Sequence, residues 1–528
     1  MNKTSISYER SGSFSGLFLD YLSGNEKVRP FYSYLPVRES FKTAAEEKHY
    51  PRQQRSVLTT ALINQYQQQA PEYLTEVQPV IAALGNENTF TVTTGHQLNL
   101  FTGPLYSIYK IATTIKLASE LAEKYPHRKF VPVFWMASED HDFEEIKSVQ
   151  LTEKKLAWNP GFPPVACGAI PTDRMHAFIE ELQNAAGNSA LFREMASCYT
   201  SGSNLAQATR KLVHLLFAGS NLLVIDGNDA SLKNLFVEEM LDDVFNHSAY
   251  TLVSETAERL GKNYKVQVTP REINLFYLEP DYRGRIIKSE QGRYEVSGSQ
   301  KVFTAGELET EIKTHPGRFS PNVVLRPLYQ EKILPNLAYI GGPGEIAYWL
   351  ELRSTFEHYT VPFPVLMPRN SFMILDEQVI RKMKKAEVNT EDLFLGREAL
   401  LKKVIKGIDA IEEAFNNLKS EMGDAFKTVS PVVAAVDPTL SASLEAEEQK
   451  VRKGIDHFTE KLFRAVRRKE EVTVSQVDWI LNRLFPDGAL QERSLNILAI
   501  AGDKTFIPQI TDWCDPFSFT FDIITLQP

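Results

Sequence analysis

Cysteine is scarce, with Cys167, Cys198 and Cys514 the only three in 528 residues. Thiols so few and so scattered build neither a disulfide framework nor a four-cysteine zinc site. No run of about 18 apolar residues is present to span a bilayer. The opening stretch, MNKTSISYERSGSFSG, lacks the uninterrupted apolar core of a signal peptide. Basic charge is also in deficit: 58 Lys and Arg stand against 67 Asp and Glu, a formal net charge of −9. That balance argues against a general nucleic-acid or membrane binder, since both need concentrated positive charge. No Gly-, Gln- or Pro-rich tract stands out. What is left is a globular composition, 43% hydrophobic and 24% charged, expected in the cytoplasm. At about 150 residues per domain its length suggests roughly three units.

The chain is organised around the stretch from Thr89 to Ile146. Phe90, Val92 and their neighbours form a short β-rich run that stops at Thr94 and Gly95. A polar loop follows, with His96, Gln97, Asn99, Thr102, Gly103 and Pro104, and the proline suits the first turn of a helix. Leu105, Ile108, Ile111, Ala112 and Ile115 recur at helical spacing and give a face that packs on a sheet. Tyr106 and Lys110, four apart, lie on another face, free to point at a ligand. Val131 to Trp135 is the next apolar run, ending in Glu139, Asp140, His141 and Asp142. If the two strands are neighbours, the helix between them is a parallel crossover. Both polar clusters then sit at the strands' carboxyl ends, where open α/β sheets bind ligands.

Residues 1–88 read as a helical lead-in covering the core. A Rossmann-like parallel-sheet core occupies 89–265, its third strand at Asn221–Asp226, with helices around Met175–Leu182 and Ala206–Phe217. From 266 to 312 the pattern changes to a small antiparallel meander inserted between sheet strands. Core segments return over 313–375: Val323–Leu325, Leu337–Ile340 followed by the Gly341-Gly342-Pro343-Gly344 turn, and the run around Val365. Glycine at such a turn lets backbone N–H groups approach an anion. Over 376–471 two heptad series, Val404 to Val432 and Leu440 to Ala465, predict an antiparallel coiled-coil hairpin with arms of roughly 40 Å. Such a hairpin buries little alone, so it docks on its own globular part or, as preferred here, pairs with a second copy. Residues 472–528 return to the core, with a final strand over Phe519–Leu526.

His96 between a strand and a helix resembles the His- and Gly-containing phosphate loop of class I nucleotidylyl-transfer folds. A helix N-terminus favours negative charge, and an imidazole donates to a phosphate oxygen. A histidine satisfied within a turn is the alternative. The cluster Glu139–Asp142 can hold an ammonium, take a proton, or help hold Mg²⁺ beside a nucleotide. It equally suits an acidic N-cap with a first helical turn. A dedicated zinc site is not expected from this spacing. Arg326, and with it Asn322, is placed to meet a carboxylate or phosphate, or else forms a surface ion pair. The basic run Arg381, Lys382, Lys384 and Lys385 reads as a solvated helix face. A metal-dependent hydrolase using the acidic cluster, and a catalytically silent nucleotide-binding scaffold, are the rival readings.

In TGHQLNLFTGPLYSIYK, PVFWMASEDHDFEEI, SPNVVLRPLYQEKILPNLAYIGGPGEIAYWLEL and PVLMPRN the sequence resembles the bacillithiol biosynthesis cysteine-adding enzyme family. The resemblance implies a Rossmann-like core with connecting-peptide insertions and a coiled coil that mediates homodimerisation. It implies a ligase adding cysteine to glucosaminyl-malate, the last step of bacillithiol synthesis. Cleavage of ATP, with Mg²⁺, is the usual means of activating a carboxylate for such a step. Carried onto this chain, the resemblance makes His96, Asp140, His141 and Asp142 catalytic. Around them it places Gly95, Gln97, Asn99, Thr102, Gly103, Tyr106, Lys110, Glu139, Asn322, Arg326, Gly341, Gly342, Gly344, Glu345 and Tyr348. The lysine-rich KMSKS loop of class I adenylating enzymes has no good counterpart; RKMKK at 381–385 is only superficially similar.

Overall fold

The computed structural model describes residues 2–161, 165–280 and 282–526. The chain divides into two compact units. One comprises Ser7–Phe372 with Glu492–Asp522; the other comprises the residues up to Ile6, Met373–Gln491 and those from Ile523 on.

The first unit is built on a five-stranded parallel sheet. Its strands are β1 (Thr89–His96), β2 (Lys129–Met136), β3 (Leu223–Asp226), β4 (Asn336–Gly341) and β5 (Val365–Pro368). Their spatial order is β5-β4-β1-β2-β3. β1 and β2 are indeed parallel neighbours, in register from Thr89↔Lys129 to His96↔Met136. The chain moves outward through β2 and β3, then returns to the other side of β1 for β4 and β5. The reversal falls between β1 and β4, and the crevice outside their carboxyl ends is where such sheets bind ligands. Strand β1 is rich in threonine yet buried, and three of its four threonine hydroxyls are satisfied across the sheet. Thr91 and Thr93 donate to Asn336 Oδ1 at 3.0 and 2.7 Å, and Thr94 donates to the Ile340 carbonyl at 2.8 Å.

Helix α1 (Leu105–Lys124) crosses from β1 to β2 and buries Leu105, Ile108, Ile111 and Ala112. Phe41 and Ala44 of the lead-in helix Ser40–Glu47 pack with Phe90, Val92, Leu117 and Val365 in one core cluster. The expected meander is present as antiparallel strands Leu275–Glu279, Tyr282–Lys288, Tyr294–Val296 and Val302–Phe303, joined at its edge by Phe319–Pro321. The strand expected at Val323–Leu325 is absent. Asn322 Oδ1 accepts from the Val324 and Leu325 N–H groups, and the chain turns at once into helix α2 (Leu325–Ile333), leaving Val323 44% exposed. Helix α3 (Pro343–Trp349) follows β4 through Gly342.

In the second unit two helices of 29 residues each, α4 (Ile408–Val436) and α5 (Ser441–Lys469), form the hairpin. Each is about 43 Å long at 1.5 Å per residue. Val404 belongs to the preceding helix Arg397–Val404, and Leu440 to the turn Pro438–Leu440. Phe415 and Phe458 meet across the seam with ring centroids 6.0 Å apart, and Lys419 pairs with Asp456. Gly423 is buried where a Cβ would stand 2.5 Å from Arg452 Nη2. The basic run 381–385 lies on helix Glu377–Lys385, whose apolar face is Val379 and Met383. Among the described residues no helix is long and apolar enough to cross a membrane.

Candidate active site

A cavity of about 1000 Å³ opens at the β1–β4 switch point. Its floor is the carboxyl ends of β1, β2 and β4, and its far wall is the inserted meander.

His96 ends β1. Its ring stands edge-on to Tyr106 at 5.2 Å, and its buried Nε2 has no hydrogen-bond partner among the described residues. Burial, then the positive charge of Lys110, hold its pKa down at about 3, so the imidazole is neutral. Behind it lies a buried ion pair. Lys110 Nζ donates to the Gly95 carbonyl and, at 2.8 Å, to both carboxylate oxygens of Glu345. Burial pushes Glu345 up, but Lys110, the Gly342 N–H and the Tyr339 hydroxyl outweigh it and hold the carboxyl at about 2. Burial lowers Lys110, against the attraction of Glu345. Glu345 thus presents a fixed negative charge at the cavity, while Lys110 lies beneath the floor and does not line it. Arg326, on α2, donates to the Tyr348 hydroxyl at 2.9 Å and to Gln330 at 3.2 Å.

The acidic cluster after β2 is split among different tasks. Glu139 pairs with Lys233, itself fully buried. Asp140 accepts from the His141 N–H at 2.7 Å and the Asp142 N–H at 3.2 Å. Gln97 Nε2 bridges Asp140 and Glu145, 2.7 Å from each. Burial raises Asp140, but these donors prevail and leave it below its ordinary value. His141 Nδ1 accepts from Arg283 at 2.6 Å; burial and that guanidinium lower its pKa. Asp142 does not line the cavity: it caps the short helix Phe143–Ile146 through the Glu145 N–H, the role an acidic N-cap plays. Among the described residues no three His, Cys, Asp or Glu side chains converge as a metal-binding set.

The loop after His96 is also placed differently from expectation. Asn99, Thr102 and Gly103 do not line the cavity. Phe101, Thr102 and Gly103 all have positive φ, and a Cβ on Gly103 would lie 2.6 Å from Asn99. Asn496 holds this strained loop by donating to the Phe101 and Gly103 carbonyls at 2.7 and 2.8 Å. The N-terminus of α1 is spent as well, since the Leu105 N–H donates to the Leu495 carbonyl at 2.8 Å. The helix end expected to face phosphate is therefore capped by the C-terminal segment. Gly341, too, lies behind the lining, its carbonyl accepting from the Arg369 N–H at 2.9 Å.

Of the residues singled out from sequence, the structure gathers Gly95, His96, Gln97, Tyr106, Glu139, Asp140, His141, Asn322, Arg326, Gly342, Gly344, Glu345 and Tyr348 around this one cavity. It adds a set the sequence reading missed: Arg271, Arg283, Arg285, Arg369 and Arg493. With Arg326 they make six lining arginines, one of them, Arg369, paired with Glu492, against four carboxylates, two of them paired with buried lysines. Arg283 stacks on Phe276 at 3.7 Å, and Arg369 is held bidentately by Glu492 at 2.7 and 2.9 Å. The Nε atoms of both arginines are buried without a partner among the described residues. The one available signal was Arg283 and Arg285 at a strand's period of two, which puts both on one face.

Comparison with known proteins fits this architecture. Residues 1–370 match the model for the N-terminal Rossmann-like domain of bacillithiol biosynthesis BshC, and residues 372–526 match that for its C-terminal coiled-coil domain. A relative from Flavobacterium psychrophilum, named "Putative cysteine ligase BshC", is 40% identical over 528 residues, 98% of each chain. One of the same name from Flavobacterium johnsoniae is 39% identical over 530 residues, 99% of each chain. Another, from Cytophaga hutchinsonii, is 38% identical over 523 residues, 98% of each chain. With both family models matched in order and relatives aligned almost end to end, this chain belongs to the BshC family of bacillithiol biosynthesis.

Proposed function

We propose that the protein is a ligase that joins the carboxyl group of L-cysteine to the amine of glucosaminyl-malate, with ATP as the activating substrate. The relatives' name supports a ligase acting on cysteine. The observation that carries the finer reading is the charge layout of the cavity, with six arginines along its walls and the Gln97-bridged pair Asp140 and Glu145 at one corner. The substrates together bring carboxylates, phosphates and an ammonium, and this layout offers each a counter-charge.

A carboxylate does not acylate an amine at neutral pH, because oxide is too poor a leaving group. ATP therefore converts cysteine to a cysteinyl adenylate, releasing pyrophosphate, or to an acyl phosphate, releasing ADP. Neutral His96 donates a hydrogen bond to the phosphoryl oxygens as charge builds there. The arginines of the meander and of α2 hold the malate carboxylates and the phosphates. Asp140, kept ionised by the Gln97 amide and its backbone donors, holds the sugar ammonium. The proton lost as this amine attacks passes to Glu145, which is open to solvent and can release it. Mg²⁺ bound to the nucleotide would offset phosphate charge; among the described residues no three His, Cys, Asp or Glu side chains converge to hold the ion. No protein thiol takes part: all three cysteines are buried, and burial pushes Cys167 up to about 12 and Cys198 to about 11.

The test is purified protein with cysteine, glucosaminyl-malate, ATP and Mg²⁺, the thiol product followed by mass spectrometry and the nucleotides by chromatography. Product with AMP supports adenylation and product with ADP an acyl phosphate. His96→Ala and Asp140→Ala are expected to stay folded and lose turnover; undiminished turnover refutes the assignment. Activity requiring a divalent ion but no nucleotide would point to a hydrolase instead.

The hairpin carries the partner reading. Leu418, Val429, Val432 and Phe458 are 45%, 47%, 63% and 55% exposed along it. A seam of this kind is covered by a second copy of the chain, giving a homodimer. Sedimentation of Val429→Glu with Val432→Glu is expected to yield monomer; an unchanged dimer refutes the coiled-coil interface.

A further inference from the structure

The stretch from Lys265 to Asn274 leads from helix Ser248–Gly261 into the meander and contains no helix or strand. Thr269 and Arg271 of this stretch line the cavity, so whatever fixes it also fixes part of the substrate wall. Three of its backbone N–H groups donate to two buried carboxylates of the core. Gln267 and Val268 donate to Glu351 at 2.7 and 3.4 Å. Asn274 donates to Asp243 twice, from its backbone N–H at 2.6 Å and from its side-chain Nδ2 at 3.0 Å. Asp243 and Glu351 are both 0% exposed.

Among the described residues neither carboxylate faces a cation. The charged group acting on Asp243 is Asp242, of like sign, and the influences on Glu351 are burial and the two N–H groups it accepts from. A buried carboxylate is costly unless its donors are well placed, and here those donors all come from one surface segment. The connection continues inward. Asn274 Oδ1 accepts from Asn322 Nδ2 at 2.9 Å, and the Asn274 carbonyl accepts from the Asn322 N–H at 2.9 Å. Asn322 Oδ1 in turn accepts from the Val324 and Leu325 N–H groups where α2 begins, the helix that presents Arg326.

From this geometry we propose that Asp243 and Glu351 are positioning residues, which clamp the 267–274 segment and thereby set Arg271, Asn322 and Arg326 against the anionic substrate. They touch no substrate themselves. Asp243 acts through Asn274 and Asn322, and Glu351 through the backbone three and four residues before Arg271. The role rests on the ligase reading for the identity of the substrate, but the clamp itself does not.

The test uses full-length protein with Asp243→Ala, Glu351→Ala and Arg271→Ala, and two readouts. Hydrogen exchange at pH 7.5, without substrate, is expected to speed up by about tenfold or more for amides 267–274 in Asp243→Ala and Glu351→Ala, but not in Arg271→Ala. Steady-state kinetics are expected to show KM for glucosaminyl-malate raised about tenfold in all three variants, with kcat within about twofold. Asp243→Asn keeps an acceptor for the Asn274 N–H and is expected to recover part of both losses. Exchange unchanged in both clamp variants overturns the clamp, as does a fall in kcat at constant KM. If the wild type makes no product, the ligase reading fails alone: L-malate binding by calorimetry then replaces KM, and affinity unchanged in the clamp variants overturns the positioning role.

Discussion

Lys110→Met isolates the buried pair beneath the cavity. Lys110 is 1% exposed in its side chain and Glu345 27%, with 2.8 Å between their charged atoms. Holding Glu345 at about 2 instead of its ordinary 4.5 amounts to roughly 3 kcal/mol in favour of the ionised form, at about 1.4 kcal/mol per pH unit. That contribution is present above the unfolded glutamate value and disappears as pH falls through 2, so it is fully expressed at pH 7. Removing the lysine leaves a mostly buried carboxylate with only the Gly342 N–H and Tyr339 hydroxyl as donors. The expected cost is about 2–4 kcal/mol. Glu345→Gln is expected to cost a similar amount, because it strands the ammonium. The double variant leaves no uncompensated charge, so it should cost less than the sum of the single changes, by about 2 kcal/mol. The assay is urea unfolding at pH 7 followed by tryptophan fluorescence. Trp349 is a suitable reporter: it is fully buried at the end of α3 and stacks on Tyr339 with centroids 4.5 Å apart. Single-variant costs that simply add would refute the claim that these two charges hold each other.

Three further outcomes are expected. Burial raises Asp243 and Glu351 to about 7, so the folded state binds more protons than the unfolded state between their unfolded values and 7. Stability should therefore fall as pH rises from 5 to 7, by up to about 1.4 kcal/mol per pH unit for each group, and Glu351→Gln should flatten that slope; parallel urea-midpoint profiles for wild type and variant would contradict this. Iodoacetamide at pH 7.5 should leave the folded protein unlabelled and its turnover intact, given buried thiols held at about 11 and 12; mass spectrometry showing one adduct with lost turnover would reverse that conclusion. Asn496→Ala strands the Phe101 and Gly103 carbonyls and should cost about 2 kcal/mol in thermal or urea unfolding, whereas a change under 0.5 kcal/mol would mean the strained loop holds itself.

The sheet was legible because its strands are buried on both faces and read as short apolar runs before a polar turn, as at Val131–Trp135 and Leu337–Ile340. The same signal misled at Val323–Leu325. Two β-branched residues imitate a strand there, and only the side chain of Asn322, folded back onto the Val324 and Leu325 N–H groups, reveals a helix start. The acidic cluster was visible, but its division of labour was not. Asp140 and Asp142, two apart, differ because one backbone turn directs Asp140 inward and uses Asp142 as a cap. The arginines were the least legible part. Arg271, Arg283, Arg369 and Arg493 stand in four separate segments, each unremarkable locally, and they share a cavity only once the meander folds over the switch point.

The bonds from Asn496 to the loop at Phe101–Gly103 span up to 395 residues of sequence. A ribosome adding about 5–20 residues per second needs on the order of 20–80 s to cover that distance. Throughout that interval the turn beside His96 has emerged but its clasp has not been made. The nascent Rossmann-like unit therefore waits, with a strained turn and an uncapped helix α1, for a segment translated after the whole hairpin. Premature termination after Pro368 but before Asn496 would leave a chain with every strand of the parallel sheet and no means of closing the loop beside its candidate catalytic histidine.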